Sequence, residues 1–96
     1  MCRVLSENPA KLYGMYPRKG VLTKGADADI VVYDPRADHV LHAKDMASAC
    51  DYSPYEGMEI RGGIAQVYLR GGLAVNGGKV LAGTDGKYIA RGFGKL

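Results

Sequence analysis

Tryptophan is absent, phenylalanine occurs once, and cysteine occurs only at Cys2 and Cys50. Two cysteines without CxxC spacing make neither a zinc knuckle nor a disulfide framework, and free thiols in the cytoplasm are the expectation. No positively charged start followed by an apolar run opens the chain, so no secretory signal is expected. The apolar runs are far too short to span a bilayer, so no membrane partner is expected. The net charge is only +3, and the basic residues are scattered apart from Arg18-Lys19. No basic stripe forms, which argues against nucleic acid as a partner.

Catalytic patterns are equally scarce. No GxSxG surrounds a serine, and neither GxxxxGK[ST] nor GxGxxG occurs among the many glycines. His39 and His42 form the only histidine pair, and on a strand positions three apart face opposite ways. Asp38 and Asp45 are the only nearby carboxylates, too few for a convincing metal shell. Asp27 and Asp29 could in principle divide acid and base roles. In a turn before a strand, however, aspartates routinely hydrogen-bond the backbone instead. No catalytic, metal-binding or cofactor-binding residue is therefore assigned.

What is present is glycine, fourteen residues of it, and seven tyrosines, in a chain of 96 residues that is 47% apolar. That composition suits one globular unit of short strands joined by tight turns. Cys2–Leu5 reads as the last turn of a helix. A second short helix follows, with Asn8 as N-cap, Pro9 at the first helical position and Gly14 as a positive-φ stop. Residues 17–20 form a turn, and Val21–Thr23 reads as a short strand. Ile30–Tyr33 is the strongest strand, apolar at successive positions, which implies cover on both faces. His39–His42, Glu59–Arg61, Ile64–Leu69 and Leu73–Val75 read as further strands. Asn76-Gly77 predicts a type I′ hairpin turn returning through Lys79–Leu81. Residues 43–57 show no periodicity and carry Tyr52 and Tyr55, which are candidates for an interface because they lie on a loop.

These motifs together resemble the cyclic amidohydrolases. Ser6–Gly14 followed by Pro17–Gly20 resembles the segment just after the catalytic barrel of that superfamily. Gly25–Pro35, with Ala26-Asp27-Ala28-Asp29 leading into Ile30–Tyr33, looks like the strand that enters its small β-sandwich. Asp51-Tyr52-Ser53-Pro54-Tyr55-Glu56-Gly57-Met58 is similar to a stretch of the dihydropyrimidinase/D-hydantoinase branch. Gly83–Arg91 resembles the end of that branch.

The resemblance implies a mainly β chain, part of a composite β-sandwich domain with one or two short N-terminal helical turns. Residues 1–14 would be the end of a barrel helix and a docking helix, 15–90 a partial sandwich, and 91–96 a flexible tail. It implies a C-terminal fragment of a metal-dependent cyclic-amide hydrolase, opening dihydropyrimidines or hydantoins when intact. The family's binuclear metal centre, zinc or a similar divalent ion, sits on a barrel of about 250 residues, and none of its ligands maps onto this chain. The chain alone is expected to be inactive, with a structural and assembly role. Its expected partners are the missing barrel and N-terminal strands and a second copy of itself. Apolar surface is expected around Val4, Leu12, Val21 and Ile30–Tyr33. A fragment of a non-enzymatic dihydropyrimidinase-related assembly protein is the alternative.

Overall fold

A computed structural model describes residues 1–81 and 86–95. Gly83, Thr84 and Asp85 of the expected closing motif, and Leu96 of the expected tail, lie outside the described residues.

The chain opens on one continuous helical segment. Arg3–Glu7 forms a wide π-type turn that runs directly into the α-helix Asn8–Leu12, α1. Asn8 is thus not an N-cap: its backbone is right-handed helical, and its N–H already donates to the carbonyl of Arg3. A proline ring collides with the carbonyl four residues back in a regular helix, and the wider turn before Pro9 relieves that crowding. The stop is as expected. Gly14 has φ +74, and the N–H of Met15 bonds the carbonyl of Ala10 at 2.8 Å, which closes the helix end in a Schellman arrangement.

Residues 17–20 turn as expected, but Val21–Thr23 is not a strand; with Arg18 and Asp27 bonded across it at 2.9 Å, the segment curls back instead of extending. Strands follow at Ile30–Asp34 (β1), His39–Val40 (β2), Glu59–Ile60 (β3), Gly63–Leu69 (β4), Gly72–Asn76 (β5) and Lys79–Val80 (β6). They form a four-stranded antiparallel sheet in the order β1-β4-β5-β6 and a two-stranded ladder of β2 with β3. The mainly β expectation holds. Two bulges punctuate the sheet, leaving Ala65 without a partner residue on β1 and Ala74 without one on β4. Bulges strengthen local twist.

Both tight hairpins use positive φ at two central residues, as a type I′ turn demands. Arg70 (φ 47) and Gly71 (φ 84) join β4 to β5; Gly77 (φ 59) and Gly78 (φ 84) join β5 to β6. The second turn is therefore displaced by one residue from the expected Asn76-Gly77. Asn76 remains in the strand, paired with Lys79, because two consecutive glycines accept the left-handed region more cheaply than Asn-Gly.

The described residues do not supply the expected cover on both faces of β1. β1 is an edge strand, and Val31 and Tyr33 are 59% and 58% exposed. Ala10 is the one buried apolar side chain among the described residues. It packs where Gly20 passes so close to α1 that a Cβ there would stand 2.5 Å from the Ala10 methyl. The segment after residue 90 lies back over the helix end, with the N–H of Gly92 on the carbonyl of Gly14 and that of Lys95 on Lys11, both at 2.9 Å.

Candidate functional site

The two histidines do not converge. His39 Nδ1 lies 3.3 Å from the carbonyl of Ala37, whereas His42 Nδ1 lies 2.8 Å from Glu56 Oε1. The other Glu56 oxygen accepts the N–H of Ala43 at 2.7 Å. That backbone bond, then the His42 contact, holds the Glu56 carboxyl below its usual range. Among the described residues no three His, Cys, Asp or Glu side chains gather as a metal shell. The described residues therefore offer no shell for the divalent centre that the resemblance implies. Cys2 and Cys50 are exposed free thiols.

Glu56 instead closes a loop. Leu41 and Met58 continue the β2–β3 ladder by one bond (3.0 Å), and Gly57 donates to Leu41 at 2.8 Å. From that neck residues 43–57 project outward, beginning with a 3-10 turn at Ala43–Asp45. Ser53 shapes the far side, its Oγ accepting from Tyr55 N–H at 3.1 Å and its carbonyl from Glu56 at 3.1 Å. Tyr52 and Tyr55, the two candidates from sequence, share this loop and are 74% and 56% exposed.

A second cluster went unrecognised in the sequence, although Arg18, Lys19, Asp27 and Asp29 each stood out separately. Arg18 Nε and Lys19 Nζ both reach Asp27 Oδ2, at 3.1 and 3.0 Å, and Lys19 also pairs with Asp29. Asp29 Oδ1 then accepts the backbone N–H of Arg70 at 2.9 Å, beside a bond from Gly71 N–H to Ala28 at 3.0 Å. Lys19 holds the Asp27 carboxyl below its ordinary value; burial opposes this, and Arg18 adds to the lowering. Partial burial pushes the Asp29 carboxyl up, but Lys19 and the Arg70 N–H outweigh it and leave it lowered. Burial alone would lower the Lys19 ammonium; the two aspartates raise it. Both aspartates thus hold cations, and Asp29 bonds the backbone of a turn 41 residues away rather than that of its own. Their cations lie in the Pro17–Gly20 turn, a pairing that no fixed sequence spacing announces.

The third feature is extent of surface. The chain exposes 7922 Å², where a compact monomer of 10.3 kDa would expose roughly 5,400 Å². The radius of gyration is 15.9 Å, against about 12.5 Å for a compact domain of this length. Val4 (70%), Leu5 (68%) and Leu12 (52%) of the helical segment, with Val31 and Ile64 of the sheet, contribute to the excess. Val4, Leu12 and most of the β1 strand are where exposure was expected; Val21 is half-buried.

Comparison with known proteins agrees with this geometry. The Amidohydrolase family profile matches residues 1–85. The D-hydantoinase of Ralstonia pickettii is 43% identical over 89 residues, covering 92% of this chain and 20% of the relative. The solved D-hydantoinase of Bacillus sp. AR9 superposes with a TM-score of 0.85 at 38% identity, over 95% of this chain and 20% of that one. The dihydropyrimidinase of Brevibacillus agri superposes with a TM-score of 0.73 at 37% identity, over 79% and 16%. The chain spans about a fifth of the length of the curated relatives it matches. On its profile match and these likenesses, the chain belongs to the amidohydrolase family, on its dihydropyrimidinase/hydantoinase branch.

Proposed function

We propose that this chain is the C-terminal β-domain portion of a metal-dependent cyclic-amide hydrolase, where it serves structure and assembly and carries no catalysis of its own. The observation that carries this reading is the near-empty interior. A chain with Ala10 as its one buried apolar side chain among the described residues offsets little of its ordering entropy from its own core, so that a second copy or further polypeptide adds much of its stability. Its apolar faces fit a role in which other polypeptide completes the core. In this reading residues 1–14 dock against the barrel and 15–90 contribute to a β-sandwich, with a tail beyond residue 90.

Ring opening of a dihydropyrimidine or hydantoin would take place in the intact protein, on residues outside this chain. The divalent metal centre, zinc in the simplest case, would be held there too. What this chain supplies is shape: the Asp29–Arg70 link sets β1 beside the β4–β5 hairpin, and the N-terminal helical segment presents Val4, Leu5 and Leu12 outward. Tyr52 and Tyr55, on a loop closed by Glu56, suit a subunit contact in a homo-oligomer. Exposed Cys2 and Cys50 suit a reducing, cytoplasmic setting. No helix among the described residues is long and apolar enough to cross a membrane.

A chimera tests the reading. This chain replaces the matching segment of the Ralstonia pickettii D-hydantoinase, and hydantoin turnover is followed with and without a chelator. The expected result is chelator-sensitive turnover by the chimera and none by the 96-residue chain. Turnover by the chain alone, or a folded chimera that is inactive beside an active parent, would overturn it.

A further inference from the structure

We infer that Asn76 is a spontaneous deamidation site held closed by β4, so that its modification measures opening of the central sheet rather than of the hairpin in which it lies. The chain has two asparagines. Asn8 precedes Pro9, whose nitrogen bears no hydrogen and cannot give the usual cyclic product. Asn76 precedes Gly77, whose unhindered nitrogen is the best available nucleophile for an asparagine side chain.

The chemistry needs no cofactor. The Gly77 backbone nitrogen attacks Asn76 Cγ and loses its proton to solvent base, and the Cγ–N bond to the side-chain amide breaks, releasing ammonia. Water then opens the cyclic imide at either carbonyl, leaving aspartate or isoaspartate. The net change is loss of ammonia and gain of water.

The structure obstructs the first step. The Gly77 N–H donates to the carbonyl of Ala65 at 2.9 Å, continuing the β4–β5 ladder one step beyond Gln66–Asn76. A nitrogen engaged in a ladder must break that bond before it can deprotonate and swing toward Cγ. The side chain is anchored only weakly, with Gln66 Nε2 at 3.5 Å from Asn76 Oδ1, so the backbone bond is the effective latch. Its acceptor is on β4, not on β6. Among the described residues the β5–β6 pair spans Val75–Val80 and Asn76–Lys79 and one further bond, from Leu81 N–H to the Ala74 carbonyl at 2.8 Å, and it can fray without freeing Gly77. An isoaspartate formed there adds a backbone carbon next to the Gly77-Gly78 turn and prevents the original register from re-forming.

The test follows conversion at Asn76 by peptide mass and isoaspartate detection on the full 96-residue chain, beside amide exchange at Gly77, along a urea series at neutral pH. Conversion without urea should be at least about tenfold slower than in high urea, and the two rates should rise together, because both require the same local opening. A Lys79→Pro variant, which removes a β6 donor, should convert no faster than the parent in the absence of urea. Equal rates with and without urea would overturn the inference. So would a Lys79→Pro rate that reaches the high-urea value, since the latch would then lie in the β5–β6 turn.

Discussion

Asp29 Oδ1 accepts the backbone N–H of Arg70 at 2.9 Å, joining positions 41 residues apart. The bond ties the entry of β1 to the turn between β4 and β5, while the other Asp29 oxygen pairs with Lys19 of the preceding turn. One carboxylate thus connects three separate segments of the chain.

Asp29→Ala removes both contacts and should destabilise the fold by about 1 kcal/mol, the usual scale for a partly exposed hydrogen bond and ion pair. Asp29→Asn keeps an oxygen for Arg70 and should cost less. Urea unfolding midpoints rank the two. Equal losses would mean that the Arg70 bond contributes nothing.

The same cluster sets a pH dependence. Asp27 and Asp29 are lowered below their ordinary value of 3.8 in the folded chain. Their contribution is therefore present above that value and is lost as pH falls through the lowered folded values. Lys19 is raised above 10.5, so its contribution is full below that value and is lost as pH rises through the raised one. The cluster's contribution should be flat between these limits and fall on both sides, and the acid fall should shrink in Asp29→Asn. Melting curves across pH provide the check.

Gly14 and Gly57 separate strain from crowding. Both have positive φ, +74 and +79, but a Cβ at Gly14 would overlap the carbonyl of Gly92, whereas one at Gly57 meets nothing. Gly57→Ala should cost about 1 kcal/mol from backbone strain alone. Gly14→Ala should cost more and release the Gly92 and Lys95 amides to exchange with solvent. Protected amides in Gly14→Ala would show that the terminal segment is held by something other than this crossing.

The Glu56 clasp predicts a local effect. Glu56→Ala should raise amide exchange at Ala43 several-fold, as expected for loss of a loop-closing bond, and leave β4 and β5 unchanged. Glu56→Gln, retaining an acceptor oxygen, should exchange close to the parent. Exchange mapped by NMR distinguishes the two.

Much of the sheet was legible because its strands obey local rules. Ile30–Tyr33 and Ile64–Leu69 are runs of β-forming residues bounded by Asp-Pro and by Arg-Gly-Gly, so turn chemistry marks their limits. Failures arose where longer-range context decided. Asn8 has the side chain of a cap, yet the helix had already begun at Arg3. Val21–Thr23 has strand composition, yet Arg18 and Asp27 pull the chain around it. Asn76-Gly77 has hairpin composition, but a second glycine at 78 moves the turn. The Lys19–Asp29–Arg70 cluster was hidden because charged side chains follow no period and find partners only after folding. Tyr52 and Tyr55 were legible as loop residues because Ser53-Pro54 and Gly57 break regular structure around them.

The most direct test of an interior completed from outside is light scattering on the dilute 96-residue chain, with an apolar-surface dye in a parallel sample. The account predicts species heavier than one chain and strong dye binding, because Val4, Leu5, Leu12, Val31 and Ile64 are left uncovered. A clean 10.3 kDa monomer that unfolds cooperatively and binds no dye would contradict it.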